Sequence, residues 1–497
     1  MPFYMNIPFI CIMLSMFTAI ISSVLPKKMA KWGAVIISGV VFVLNATLVC
    51  ILYPNGESFN YLMGHFPAPF GNEIRCGLLE SVLAAALSLI MCLSIMGDMK
   101  KTVKQSSKSK QNLVYTMFDL VLASMLALIY TNDLFTGYVF IEILTLASCA
   151  LIISRQNGRT FVSSMRYMIM SLLGSGLLLI AIAFTYNITG HLLIEYIHDS
   201  FRTLAATGEY HVPLTVIMGL FFVGLAIKCA LFPFHTWLPD SYGYATPAAS
   251  AVLSSVVSKA YIILLIKIYV RMIGQDLLVQ NQALILLLVF GVISMIMGSV
   301  DALTSKDIRR MIAYSSVAQI GYIFAGVGTG LTIGIVAALY HLIMHSVAKS
   351  GIFIATSALT DASGDSKRFS DLHGAGYRDK TAGVLFTVSA FNMIGIPIFA
   401  GFISKMNYAE VAFTHGGVTM WVLIIALVLS TLLNVLYFMK TIISLYRAPR
   451  QDYVPPKPIS SPLRKGIMWC FVAVNVAIAV FAVPLMQAIT NGLAKFG

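Results

Sequence analysis

The sequence predicts an all-α polytopic membrane protein with about fourteen transmembrane helices, and three observations predict it. Hydrophobic residues make up 58% of the 497-residue chain and charged residues only 11%, against roughly 25% charged in an average soluble protein. The apolar residues gather in runs of the length a bilayer-crossing helix needs, about 20 residues. The basic residues gather between those runs, and mostly between alternate pairs of them. Such a chain cannot clothe itself in a water-soluble surface, and its apolar runs are too many for one soluble core.

The runs fall at 3–24, 33–53, 78–97, 113–130, 134–153, 167–187, 212–232, 248–270, 282–303, 310–328, 331–358, 381–400, 418–446 and 466–486. The first reads as a retained span and not a cleaved leader, because no basic residue precedes it while Lys27, Lys28 and Lys31 follow. Residues 1–112 then form an N-terminal three-helix segment. Residues 113–281 and 282–447 hold five runs each, and 448–497 hold a connector and the last helix. The connector includes VPPKPISSP (454–462), a proline-stiffened stretch.

Sorting the 33 lysines and arginines sets an orientation. Twenty-three lie in loops on one side, within 27–31, 100–110, 155–166, 306–310, 367–380 and 447–465, and only Arg75, Arg202, Arg271 and Lys495 lie on the other. The positive-inside rule places the rich side in the cytoplasm and both termini outside it. The net charge of +13 is therefore a topology signal, and no nucleic-acid partner is expected.

Six lysines remain, in the apolar runs or at their edges: Lys228, Lys259, Lys267, Lys349, Lys405 and Lys440. Lys267 and Lys440 stand near helix ends, where a lysine can snorkel to the interface. The other four lie deeper, where a charge costs at least about 3 kcal/mol. Packing alone does not explain four such residues. Among twenty acids, Glu142 in GYVFIEILTLASC is the one near mid-span. A buried carboxylate needs a cation and a buried lysine an anion, so Lys228 is its natural partner. Asp119, about two turns into its helix, could join them. The plain alternative is a static salt bridge between two helices.

Two prolines mark broken helices. GLAIKCALFPFHTWLPD interrupts its run at Pro233, just after Lys228, and FNMIGIPIFAGFISKMNYAE repeats the device with Pro397 and Lys405. A mid-helix proline frees a carbonyl one turn earlier, which is tolerated at membrane depth beside protein or water. Each break falls in the fourth helix of a five-helix unit. Five being odd, the two units (helices 4–8 and 9–13) are expected to be inverted repeats.

In the eleventh run, AALYHLIMHSVAKSGIF, residues His341, His345 and Lys349 recur every four positions and line one face. The two histidines lack the glutamate of an HExxH metal site, so a protonatable stripe fits better. No metal or other cofactor is expected. The seven cysteines include no C-x-x-C pair, which supports neither an iron–sulfur cluster nor a zinc site. GAGYRDKT (374–381) lacks the glycine before lysine of a phosphate loop, and GVGTG (326–330) reads as a turn. No redox or hydrolytic motif is read in the chain itself.

Taken together, KCALFPFHTWLPDSYGYATPAASAVLSSVVSKAYIILL, KDIRRMIAYSSVAQIGYI, HLIMHSVAKSGIF and GIPIFAGFISK occur in the order seen in proton-pumping antiporter-like subunits, and the chain resembles that family. Its members serve respiratory complex I, Mrp-type cation/proton antiporters and membrane-bound energy-converting hydrogenases. The resemblance is strong over roughly 110–410 and implies fourteen core helices, inverted repeats and breaks in helices 7 and 12. It also implies proton translocation along central charges, within a cell (inner) membrane of a bacterium or archaeon and alongside other membrane subunits. By motif position, Glu142 matches the fifth-helix glutamate that modulates its lysine neighbour, and Lys228 the central proton carrier. Lys259 matches an eighth-helix lysine that other members replace with histidine. His341, His345 and Lys349 match the eleventh-helix relay, and Lys405 the terminal twelfth-helix residue. His235 belongs to the first block, with a structural or a functional role open. Tyr244-Ala245 stand where the family usually has proline, and the long lateral helix of some relatives is not expected here.

The implied mechanism turns on desolvation. Glu142 stabilises a protonated Lys228; if the pair opens, the ammonium stands alone in a low-dielectric site, which disfavours its charged form. The proton then passes to Lys259, the eleventh-helix stripe and Lys405. A different reading has the chain as a non-pumping scaffold that anchors partner subunits. Within the first reading the driving force, an ion gradient or electron transfer in other subunits, stays open. So do transport of sodium beside protons and a place as a subunit of a proton-translocating oxidoreductase of the NADH dehydrogenase or hydrogenase type.

Overall fold

The structure is a computed structural model that describes residues 2–66, 71–107, 110–207, 210–448 and 461–496. Lys108, Arg450, Lys457 and all but the end of the VPPKPISSP connector lie outside the described residues.

Thirteen helices among the described residues are long and apolar enough to cross a membrane. In order they are helix 1 (Phe3–Val24), 2 (Lys27–Pro54), 3 (Leu78–Gly97), 4 (Gln111–Tyr130), 5 (Leu134–Ile153), 6 (Gly158–Thr189) and 7 (His211–Tyr244). After these come 8 (Pro247–Ile273), 9 (Ala283–Thr304), 10 (Ile308–Gly328), 11 (Thr332–Asp361), 13 (Gly417–Tyr446) and 14 (Pro462–Val480). Helix 12 is a pair of shorter helices, Lys380–Ile394 and Ala400–His415, on either side of an interruption. Side-chain caps start several of them. The Asp133 carboxylate accepts from the Thr136 amide at 2.6 Å, and Asp307 accepts from Arg309 and Arg310 amides at 2.7 and 3.2 Å. Each supplies one of the acceptors a helix start lacks.

The fold departs from the sequence reading at three places. The last apolar run does not continue to 486: helix 14 stops at Val480, and a separate helix, Ala482–Ala494, turns off after Phe481. Residues 59–62 and 73–76 form a short antiparallel hairpin with Phe59 opposite Cys76 and Leu62 opposite Glu73. Ile194–Thr207 is an amphipathic helix between helices 6 and 7. Polar residues interrupt both segments, so neither registers as an apolar run.

Burial is uneven, and the unevenness places the charges. Helices 8 and 11 are buried throughout their apolar windows, whereas only about a third of the windows of helices 13 and 14 is buried. Ionisable side chains within a span face the bundle interior, and helices 8 and 11 carry Lys259, His341, His345 and Lys349. Around them, helices 9 and 10 cross at backbone contact. A Cβ on Gly291 would come within 2.5 Å of the Ala325 amide, and one on Gly298 within 2.5 Å of that of Ala318. Small residues at such crossings permit the close packing that drives helix association in lipid.

Candidate functional site

Helix 7 runs from His211 to Cys229, then breaks: Ala230 is left-handed (φ 57°) and the Phe232–Pro233 peptide is cis. A one-turn 3₁₀ segment (Phe234–Trp237) and a short helix (Leu238–Tyr244) follow. The interruption leaves backbone groups to satisfy. The Leu231 amide donates to the Ala226 carbonyl at 3.0 Å, and the Trp237 indole donates to that of Ile227 at 3.2 Å. Lys228 is thereby held in the last turn before the break. Helix 6 approaches it closely, since a Cβ on Gly174 would meet the Gly224 carbonyl at 2.9 Å.

Lys228 is buried, and its Nζ lies 3.8 Å from Glu142 Oε1 on helix 5. It donates to Thr145 Oγ1 at 2.8 Å, and the Thr145 hydroxyl lies 3.1 Å from that of Tyr261 on helix 8. The pair is asymmetric: the lysine side chain is fully enclosed, whereas that of Glu142 is 26% exposed at the edge of the bundle. Asp119 does not join them. It is buried at the opposite flank of helix 4, accepting from Ser22 Oγ of helix 1 at 3.1 Å.

On helix 8, Lys259 is wholly buried and donates to the Ser254 carbonyl at 2.6 Å. That carbonyl belongs to a π-helical stretch, Leu253–Val257, a geometry that recurs at functional positions. The segment of helix 8 that carries Lys259 packs against helix 7, and the turns before it pack against helix 11.

His341, His345 and Lys349 do share one face of helix 11, and helix 10 faces it with a polar stripe that the sequence reading passed over. Lys349 donates to the Ile312 carbonyl at 2.7 Å and to Ser315 Oγ. The His341 ring stacks on Tyr322 (centroids 5.2 Å) and on His345 (6.0 Å). Ser315, Gln319 and Tyr322 lie at i, i+4, i+7, so Gln319 comes level with His345. Both ring nitrogens of His345 and both amide atoms of Gln319 are buried without a hydrogen-bond partner among the described residues. The spacing of Ser315, Gln319 and Tyr322 in YSSVAQIGY was the signal.

Helix 12 completes the line. Its first half ends at Ile394, Gly395 is left-handed (φ 84°), and Lys405 of the second half reaches back to donate to the Ile394 carbonyl at 2.6 Å. It also donates to Thr431 Oγ1 at 2.9 Å and lies 5.9 Å from the Tyr322 ring. A cation at the C-terminal carbonyls of a half-helix is favoured by the helix dipole. Ser404, next in sequence, lies 2.8 Å from His341 Nδ1 and so joins helix 12 to helix 11.

Three residues weighed from the sequence stand apart. His235 is buried after the helix 7 break, 3.2 Å from Asp301 of helix 9. Lys440 is exposed on helix 13. Lys267 does not snorkel: it is fully buried and donates to the carbonyls of Ile129 and, at 2.9 Å, Thr131 at the end of helix 4. The helix end that attracts it belongs to a neighbour, which the local sequence does not reveal.

The arrangement is a row of ionisable side chains running through helices 5, 7, 8, 11 and 12 inside a membrane bundle. Such a row can hold protons and hand them on. Comparison with known proteins bears on that. Residues 131–433 match the family described as NADH:quinone oxidoreductase/Mrp antiporter, TM. NADH-quinone oxidoreductase subunit N of Desulforudis audaxviator (strain MP104C) is 30% identical over 456 residues, covering 89% of this chain and 86% of that protein. A chain of the membrane-bound sulfane sulfur reductase, an archaeal respiratory membrane complex, superposes with a TM-score of 0.89 at 22% identity, covering 99% of this chain and 98% of its own. A chain of the Mrp complex from Dietzia sp. DQ12-45-1b gives 0.88 at 21% identity, with 100% and 98% covered. At those identities the two structures speak to the fold.

Proposed function

This chain belongs to the NADH:quinone oxidoreductase/Mrp antiporter transmembrane family, and from that membership we propose that it translocates protons through the line Glu142, Lys228, Lys259, His345 with His341 and Lys349, and Lys405. It is an antiporter-like, multi-pass membrane subunit whose partners are the other membrane subunits of a larger complex. The observation that carries the proposal is the enclosure of Lys228, Lys259, Lys349 and Lys405 in the bundle, with no carboxylate within 4 Å of the last three among the described residues. Static packing would favour a counter-ion for each.

In the resting arrangement Glu142 and Thr145 hold the Lys228 ammonium. Glu142 sits at the bundle edge, where a neighbouring subunit can draw its charge away. Lys228 then keeps only neutral partners in a low-dielectric site, and its proton is released towards Lys259. The helix 11 stripe receives it next, with His345 and Gln319 offering unsatisfied acceptors and donors along the way. Lys405, tethered across the helix 12 break, is the last stop before exit. In our reading the two broken-helix units (113–281 and 282–447) are inverted repeats, and each contributes half of the path. The cation-rich face lies in the cytoplasm of a bacterial or archaeal cell, with both termini outside.

The test is transport by the intact complex in proteoliposomes. With Lys228→Ala, coupled ion movement is expected to disappear while the other subunits still copurify. Undiminished transport would sink the proposal and leave a scaffold that anchors its partners. The proteins that copurify also identify the driving reaction, an ion gradient or electron transfer.

A further inference from the structure

A cavity of about 690 Å³ opens at the cation-rich ends of helices 2, 3, 11 and 14, away from the proton line. Its floor is built. Arg464, buried at the start of helix 14, is fixed by Asp98 at 3.1 Å and Asp361 at 2.7 Å, and Asp98 also accepts from Ser357 at 2.9 Å. Lys101 engages Asp361 and, at 2.9 Å, Asp365. The three carboxylates lining the cavity are thus taken up by two of its six cations. The other four, Lys31, Lys100, Lys104 and Arg155, line the cavity with no carboxylate within 4 Å among the described residues. The cavity therefore holds an excess of positive charge.

One wall is apolar and faces outward. Trp32 is 45% exposed there, and Leu463 at the start of helix 14 is 42% exposed. Trp32 continues a stripe on helix 2 through Met29, Ile36, Val40 and Val43, all exposed and spaced three or four residues apart. Tryptophan with lysine at a helix end marks the interface level of a membrane.

We propose that this cavity binds an anionic phospholipid, with the phosphodiester headgroup among Lys31, Lys100 and Lys104 and an acyl chain along the helix 2 stripe. Basic pockets between helix ends on the cation-rich side suit such headgroups. A free phosphate would use the same cations but not the stripe. An acidic segment of another subunit would need no exposed tryptophan at its edge.

The intact complex, delipidated in detergent, is titrated with phosphatidylglycerol, phosphatidylcholine or inorganic phosphate, and bound lipid is counted by mass spectrometry. The wild-type chain is expected to retain phosphatidylglycerol selectively. Each lysine near an anionic headgroup is worth about fivefold in affinity, so Lys31→Gln/Lys100→Gln/Lys104→Gln should weaken the site by about a hundredfold, with subunit composition unchanged. Lys104→Glu alone, at an exposed position, should weaken it in the same direction. Equal retention by wild type and variants overturns the proposal, as does equal binding of phosphatidylcholine. Displacement of the lipid by millimolar inorganic phosphate overturns it in favour of a soluble anion. Crosslinking of Lys100→Cys to another subunit in the wild-type lipid state overturns it in favour of a protein partner.

Discussion

Lys228 shows how much of its behaviour is set by neighbours that the charges alone do not announce. Its short contact is to the Thr145 hydroxyl at 2.8 Å, while the carboxylate of Glu142 is 3.8 Å away. A hydrogen bond to a charged group is worth about 1.5–3 kcal/mol. Thr145→Val, which keeps the shape and removes the hydroxyl, is therefore expected to slow proton transport by about tenfold or more with assembly intact, measured in proteoliposomes. Gln319 poses the complementary case, since its amide, like both ring nitrogens of His345, is buried with no hydrogen-bond partner among the described residues. Gln319→Leu should slow transport without loss of thermal stability, because no hydrogen bond among the described residues is broken. Lys267 should behave in the opposite way. It caps the end of helix 4 and takes no part in the proposed line, so Lys267→Met is expected to lower the melting temperature of the complex and leave the transport rate per folded complex unchanged.

At the scale of elements, the two breaks solve one problem with different parts. Helix 7 turns at a left-handed alanine, and the lysine precedes the break; helix 12 turns at a left-handed glycine, and the lysine follows it by ten residues and reaches back. Asn392 spans the second break, accepting from the Gly401 amide at 2.7 Å and donating to Asn475 of helix 14 at 2.8 Å. A Cβ on Gly401 would fall 1.7 Å from the Asn392 carbonyl, so backbone must move to admit it. Gly401→Ala is expected to displace Lys405 and abolish transport, together with a loss of stability visible in a thermal melt. Gly395→Ala carries both the left-handed cost of about 1–2 kcal/mol and a contact of 2.9 Å with Lys405 Cδ. The prolines and lysines of these breaks were legible in the sequence. The residues that satisfy the freed backbone, Trp237 and Asn392, were not, because their partners are chosen by three-dimensional proximity.

Over the whole molecule, charge is sorted twice. Across the membrane, basic residues crowd one face, and through the bundle, the buried lysines and histidines string along the interior helices. The first sorting makes a prediction about orientation. Single cysteines placed at Lys104 and at Arg202 should react with a membrane-impermeant thiol reagent from opposite sides of sealed vesicles, with Lys104 on the cytoplasmic side; labelling from the same side would refute the assignment. The hydrophobic effect does not drive helices together in lipid, so the packing that encloses the lysines falls to close-fitting glycines and polar bridges. The helix 9–10 crossing at Gly291 and Gly298 is the clearest instance.

The division between sequence and tertiary structure follows from range. A run of apolar residues, a lysine too deep to snorkel, a proline that stops a helix and a four-residue spacing are local facts, and each acts through energies that depend on the segment alone. They determined that the chain is an all-α membrane protein, how many times it approaches the bilayer, and which side chains are out of place in one. Only the tertiary structure decided that Lys267 caps a neighbouring helix, that Asp119 faces helix 1, that helix 10 lays Ser315 against Lys349 and Tyr322 against His341, and that a basic cavity opens among four helix ends. Those are contacts between segments far apart in the chain. In a low-dielectric interior the partner of a polar group decides whether it is structural or mobile, and beyond the Glu142–Lys228 pair, matched by depth and charge, local pattern did not name that partner.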